Sequence, residues 1–157
     1  MKSTKFTRLI SWTEHSDPRI SNYSGIATYT MYVDVPAENF GKNIKAYLDF
    51  EKITDVGKVW INGKLAGSMW KPPYRLEVTE LLKVGKNKIE VKVGNTWANR
   101  ALYDATLPPE KRITWGNTMW FHYPVAGEKE SKGTWLKGKI PSGIMDKSPC
   151  IFFSETK

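Results

Sequence analysis

Val59-Trp60-Ile61-Asn62-Gly63-Lys64-Leu65-Ala66-Gly67 reads as two strands folded back on one tight turn. Asn-Gly between alternating apolar residues is the strongest short-range hairpin signal, because both central residues of a type I′ turn need positive φ. Downstream, Trp70-Lys71-Pro72-Pro73-Tyr74 marks a bend and Gly85-Lys86-Asn87 a turn. Lys88 to Val93 follows as a strand with Ile89, Val91 and Val93 on one face. It runs into Asn95-Thr96-Trp97-Ala98-Asn99-Arg100, a loop dense in Trp, Asn and Arg. The block specifies an antiparallel β-sandwich with an aromatic, polar loop at one end, and it contains no reaction chemistry.

The same period of two recurs on both sides of this block. Phe6 to Trp12 alternates loosely and reads as a first strand, and Glu14 to Ser24 as a polar loop. Ile26 to Val35 places Ala27, Tyr29, Met31, Val33 and Val35 on one face and is closed by Pro36. Ile44 to Phe50 does the same with Ile44, Ala46, Leu48 and Phe50. Tyr74 to Val78 is a short strand, Thr79 offers an N-cap for one helical turn, and Ser148 to Ser154 closes the sheet. No segment sustains a 3.6-residue period, so at most one or two short helical turns are expected. Asn95 to Gly138 is too long for an ordinary connection, and its aromatic content argues for an ordered excursion packed on the sandwich.

The chain of 157 residues reads as a single domain, with its core over about 6–154 and the long loop region over about 95–138. Its net charge of +8 comes from lysines spread over turns and strand faces, with no block of like charge. That pattern speaks for solubility rather than for nucleic acid. Cys150 is the one cysteine, which excludes an intrachain disulfide; beside Ile151, Phe152 and Phe153 it reads as a small buried hydrophobe. The opening residues lack the apolar stretch of a signal peptide, and no run is long enough to span a membrane. These features leave localisation open and point to a soluble chain without a membrane partner.

Phosphate loops and paired metal-ligand spacings are missing, and His15 and His122 lie far apart in loops. No cofactor is implied; metal content, including a structural calcium in a turn, stays open. Glycosidases need two carboxylates about 5–10 Å apart. Asp49 and Glu51 meet that only by spacing, two apart on one strand face, where a solvated polar face is the ordinary reading. No catalytic residue is assigned. The aromatic and amide set is more telling. Trp and Tyr rings offer large apolar area with a polar tip, suited to the C–H face of sugars, and Asn99, Arg100 and Asp104 supply groups suited to hydroxyls. Arg100 and Asp104 could equally pair to pin the loop, and Trp97 could cap the core. Trp60, out of phase with Val59 and Ile61, faces away from them.

At these residues the chain resembles the galactose-binding-like β-sandwich of glycoside hydrolases, in the forms of the family 2 sugar-binding domain and the C-terminal domain of family 106 α-L-rhamnosidase-like proteins. The resemblance rests on Val59 to Gly67, Pro72-Pro73-Tyr74, Gly85-x-Asn87 and Asn95 to Asp104. Tyr23-Ser24-Gly25-x-Ala27-x-Tyr29, Leu107-Pro108 with Arg112-x-Thr114-Trp115, and Pro141-Ser142-Gly143-Ile144 agree with it in order. Tyr103 stands where the family usually has Gly, which implies a reshaped loop. The resemblance implies an all-β jelly-roll sandwich, mostly antiparallel, from which the family's catalytic carboxylates are absent because they belong to a separate barrel domain. Parent proteins of this type are often periplasmic or secreted.

The expected function is that of a non-catalytic carbohydrate-binding accessory module, with an oligosaccharide of plant or microbial glycan, and a glycosidase catalytic domain, as partners. The expected site is Trp60, Trp70, Tyr74, Trp97, Asn99, Arg100, Asp104 and Trp115. The alternative is a structural domain that packs on a catalytic partner and binds no sugar.

Overall fold

The computed structural model describes residues 4–5, 9–114, 140–145 and 149–155. Trp115, with most of the long aromatic stretch and His122, lies outside the described residues. The strands are β1 (Ile26–Val35), β2 (Ile44–Asp49), β3 (Lys52–Ile53), β4 (Val56–Ile61), β5 (Lys64–Met69), β6 (Arg75–Glu77), β7 (Gly85–Gly94), β8 (Ile144–Met145) and β9 (Cys150–Glu155). A four-stranded antiparallel sheet in the order β1-β7-β4-β5 packs over a three-stranded antiparallel sheet in the order β6-β2-β9, and β3 pairs with β8. The two inner faces meet in one cluster that includes Leu48 from one sheet, Phe50 just beyond the end of β2, and Val59, Ile61, Ile89, Val91 and Val93 from the other sheet. The alternation read along β1, β2, β4 and β7 is therefore the layer structure itself: one residue in two faces the partner sheet.

The Asn62-Gly63 hairpin has the expected backbone, with φ of 50° and 84°. Asn62 also ties the turn to its surroundings. Its Nδ2 donates to the Leu81 carbonyl at 3.0 Å and to Asn87 Oδ1 at 2.8 Å, and its Oδ1 accepts from the Lys88 N–H at 3.1 Å. Asn87 is buried and closes the bend before β7, donating to the carbonyls of Lys83 and Gly85. Gly85 to Asn87 thus belongs to the start of β7, and the turn lies just before it.

Other segments depart from their sequence reading for identifiable reasons. Leu9 to Ser11 is not a strand, and Trp12–Glu14 is a 3₁₀ turn; Trp12 donates its N–H to the Ser142 carbonyl at 2.9 Å, a single bond rather than a ladder. The loop at Glu14–Ser24 contains the helix α1 (Pro18–Ser21), capped by Asp17. Thr79 is not an N-cap: Val78 holds that position, and the Thr79 hydroxyl instead accepts from the Ala46 N–H. Cys150 is exposed, because Ile151 and Phe153 take the inward positions of β9 and leave Cys150 facing away with Phe152. Helix content exceeds one or two short turns. Besides α1 and short 3₁₀ segments there is an eight-residue helix α2 (Ala98–Ala105) where a loop was expected. Its inward face is built from Ala98, Asn99, Ala101 and Asp104, and two polar residues on that face hide the helical period from a hydropathy reading.

Two glycines separate backbone strain from crowding. A Cβ at Gly63 would meet nothing within 4 Å, so Gly63→Val is expected to cost only the strain of positive φ, about 1–2 kcal/mol. Gly143 has φ of 107°, and a Cβ there would lie 2.6 Å from both Trp12 Nε1 and Tyr29 Oη. Gly143→Ala is expected to cost more, above about 3 kcal/mol, since crowding adds to strain. Urea denaturation of both variants checks the order; the reverse ranking would refute this account.

Candidate functional site

The end of the sandwich where the long excursion leaves is fixed by register. Gly94 at the end of β7 lies opposite Ile26, the first residue of β1, and Val56, the first of β4; Met69 at the end of β5 lies opposite Gly57. The chain after β5 and the chain after β7 therefore emerge at one end, about 10 Å apart across β4. Trp70 follows the first and Trp97 the second. Both rings are exposed, at 67% and 60% of their surface. The Lys71 ammonium sits 4.9 Å from the centre of the Trp70 ring.

At this end a largely buried polar network closes the sheet. Ser142 is its hub. Its N–H donates to Ser11 Oγ at 2.9 Å, its carbonyl accepts from the Trp12 N–H, and its hydroxyl lies 3.1 Å from both Asn95 Nδ2 and Asn99 Nδ2. Asn95 accepts from the Gly25 N–H at 2.8 Å and donates to the Tyr23 carbonyl at 2.9 Å. Asn99 grips Ile140 through both ends of its amide, each at 2.7 Å. Tyr29 Oη accepts from Trp12 Nε1 and from the Ile144 N–H. Burial pushes the Tyr29 phenol above its ordinary value, against the opposing hydrogen bonds from Trp12 and Ile144.

Arg100 and Asp104 form an i,i+4 pair on α2, with Arg100 Nη2 at 2.7 Å from Asp104 Oδ1. Asp104 is fully buried, and its Oδ2 accepts from the Ile113 N–H at 3.0 Å and from the Thr114 N–H and hydroxyl at 2.7 Å each. Desolvation pushes its pKa up, but Arg100 and the Thr114 and Ile113 donors outweigh it and hold the carboxyl at about 2, below the ordinary 3.8. Tyr103, which the resemblance made a loop residue, is helical and lies under the Arg100 guanidinium at 5.4 Å.

The sequence-predicted residues thus fall into groups. Trp70 and Trp97 stand exposed at one sheet end. Asn99, Arg100 and Asp104 lie at that same end but use their polar groups within the chain. Tyr74 is partly buried against the core, and its carbonyl accepts from the Phe50 N–H. Trp60 lies on the outer face of β4, opposite in sense to the buried Val59 and Ile61, with the Lys92 ammonium 4.9 Å from its ring centre. Asp49 and Glu51 do not share a strand: β2 ends at Asp49, which pairs with Arg75 at 2.6 Å. No cluster of three or more potential metal ligands occurs among the described residues. Asn95 and Ser142, the centre of the network, were not among the expected site residues; the Pro141-Ser142-Gly143-Ile144 motif was the signal that could have found them.

The family model for the glycosyl hydrolase 2 galactose-binding domain-like group matches residues 3–123. The chain belongs to this family. A protein of Formosa agariphila named "Putative beta-glucuronidase" is 38% identical to this galactose-binding-like domain over 108 residues, 69% of the chain and 9% of that protein. The rhamnosidase structure from Novosphingobium sp. PP1Y superposes with a TM-score of 0.74 at 28% identity, over 95% of this chain and 13% of that one. A β-glucuronidase from an uncultured Clostridium sp. gives 0.50 at 26% identity, over 55% and 15%. The domain therefore spans a small fraction of the length of the proteins it matches.

The network carries a pH signature. A carboxyl that ionises more readily in the folded chain adds stability above its ordinary pKa and loses that contribution as pH falls from about 4 to about 2. Asp104→Asn is expected to lower stability at neutral pH by about 2–3 kcal/mol. The gap to the parent should narrow as pH approaches 2. Urea titrations of both proteins at several pH values check this, and a gap that stays constant with pH would contradict it.

Proposed function

We propose that this chain is a single accessory β-sandwich of a longer glycoside hydrolase, performs no hydrolysis itself, and binds oligosaccharide weakly at the sheet end that carries α2. The observation that supports this reading is the exposure of Trp70 and Trp97 at the same sheet end, over a frame made rigid by Asn95, Asn99 and Ser142. Loops on a rigid scaffold are where such folds carry recognition. The proposed site is centred on Trp70 and Trp97, with Tyr74, Asn99, Arg100 and Asp104 as further members and Trp60 as an outlying one on the adjoining sheet face; Trp115, also expected there, lies outside the described residues. Asn99, Arg100 and Asp104 act in it as supports for the rings. The names of the matched proteins, a rhamnosidase and glucuronidases, agree with a saccharide partner and with a catalytic domain elsewhere in the longer chain.

The structural alternative has one observation in its favour: the polar groups best suited to sugar hydroxyls are already engaged internally. The two readings diverge on titration. A stacked ring is worth about 1–1.5 kcal/mol and millimolar affinity needs only about 4 kcal/mol in all, so Trp70→Ala or Trp97→Ala should weaken binding about ten-fold. Tryptophan fluorescence or NMR shifts on adding plant and microbial oligosaccharides measure this. Binding that survives both substitutions would place the site elsewhere, and no binding to any of them would favour the packing role. The isolated chain should also fail to turn over aryl glycosides; turnover lost in Asp49→Asn would overturn the non-catalytic reading.

A further inference from the structure

The outer face of the β1-β7-β4-β5 sheet beside this end has an unusual charge arrangement. Lys58 of β4 and Lys92 of β7 are direct partners in register. Both are exposed. Like charges directly across a strand pair destabilise it, and the ordinary remedy, a carboxylate in the same row, is missing. The row runs Ser68, Lys58, Lys92, Thr28 across the four strands, about 5 Å from one strand to the next. Among the described residues neither lysine has an ion-pair partner. By contrast, Lys88 on the same face of β7 is paired with Glu90 at 2.9 Å.

Two further features make this row a receptive surface. The Lys92 ammonium is held over the Trp60 ring, which fixes one cation in place and reduces the ordering cost of meeting an anion. On the other side of the row, Gly94 leaves a shallow floor between Ile26 and Val56, which are 66% and 45% exposed, with their Cγ1 atoms each 3.7 Å from where a Gly94 Cβ would stand. Two cations, two hydroxyls and a flat apolar floor thus lie side by side, next to the sheet end from which Trp70 and Trp97 emerge.

We infer that this face selects saccharides bearing carboxylate or sulfate groups, with Lys58 and Lys92 taking the anionic group and Ser68 and Thr28 the neighbouring hydroxyls. The inference rests on the carbohydrate-binding reading above and narrows its substrate class. Other occupants fit less well. A single-stranded nucleic acid lying along this row would need an open ring there for base stacking, and Trp60, the ring beside the row, has Lys92 over its face. A stable protein interface is depleted of lysine at its centre, and here lysines are the centre.

The test is affinity electrophoresis and calorimetry of the full chain with polygalacturonate, dextran sulfate, neutral dextran of similar length and a mixed-sequence single-stranded oligonucleotide. Binding to either acidic polymer should exceed that to neutral dextran, and should weaken as salt is raised to about 0.5 M. Lys58→Ser/Lys92→Ser should reduce it about ten-fold. Lys45→Ser/Lys83→Ser, which removes the same charge far from this row, should not. The first double variant relieves a like-charge pair, so its melting temperature should not fall and loss of binding would not reflect unfolding. Equal weakening by the two double variants would overturn the inference, as would oligonucleotide binding as tight as that of the acidic polymers. Neutral saccharide bound as well as acidic would overturn it and leave the carbohydrate reading standing, whereas no saccharide binding at all would remove both.

Discussion

Ser142 joins chain segments that are far apart in sequence. Its backbone reaches Ser11 and Trp12, and its hydroxyl reaches Asn95 and Asn99. A buried polar network of this kind is stabilising only when its members are satisfied, because each unpaired group would carry its own desolvation penalty. Here the partners are largely backbone groups at strand ends, so the network serves where ladder bonds stop. It fixes where β1 begins, where β7 ends and how α2 leaves the sheet. Gly143 next door must remain a glycine for Trp12 and Tyr29 to approach each other at all. Trp97 lies between Asn95 and Asn99, two members of this frame, while its own side chain stands exposed.

The division of labour across the domain follows from that constraint. The inner faces of the two sheets are apolar and supply burial. The polar side chains at the α2 end supply geometry. Amides and a carboxylate that look adapted to ligand hydroxyls are held against backbone, and in the binding reading proposed above recognition falls to the aromatic surface and to lysines on the neighbouring sheet face. In a family whose longer members are glycoside hydrolases, this is a domain whose polar side chains at that end are turned inward while Trp70, Trp97 and the lysines of the outer sheet face stand exposed.

What could be read from the sequence is what period two encodes. β1, β2, β4, β5 and β7 lie where alternation put them, and the Asn62-Gly63 turn has the backbone that its residues demand. The helix α2 was not readable, because Asn99 and Asp104 occupy its inward face and its N-cap position is Trp97, which makes no side-chain cap bond. Cys150 was misplaced because hydropathy carries no phase: its neighbours Ile151 and Phe153 claim the inner positions. The network was out of reach for another reason. Its bonds span up to 131 residues of sequence, and nothing local to Ser11 or Ser142 announces the other. Likewise Lys58 and Lys92 look scattered along the chain and become one row only through the β4–β7 register.

The helix α2 holds chain at both of its ends. Asn99 near its start grips Ile140, and Asp104 near its finish grips Ile113 and Thr114. Five residues of helix separate these grips, a rise of about 7.5 Å. Thr114 and Ile140, far apart in sequence, are therefore tethered to one short helix. Because both grips sit on one helix, a shift of α2 moves both tethered points together, and the energetic effects of changing Asn99 and Asp104 are coupled through it rather than additive.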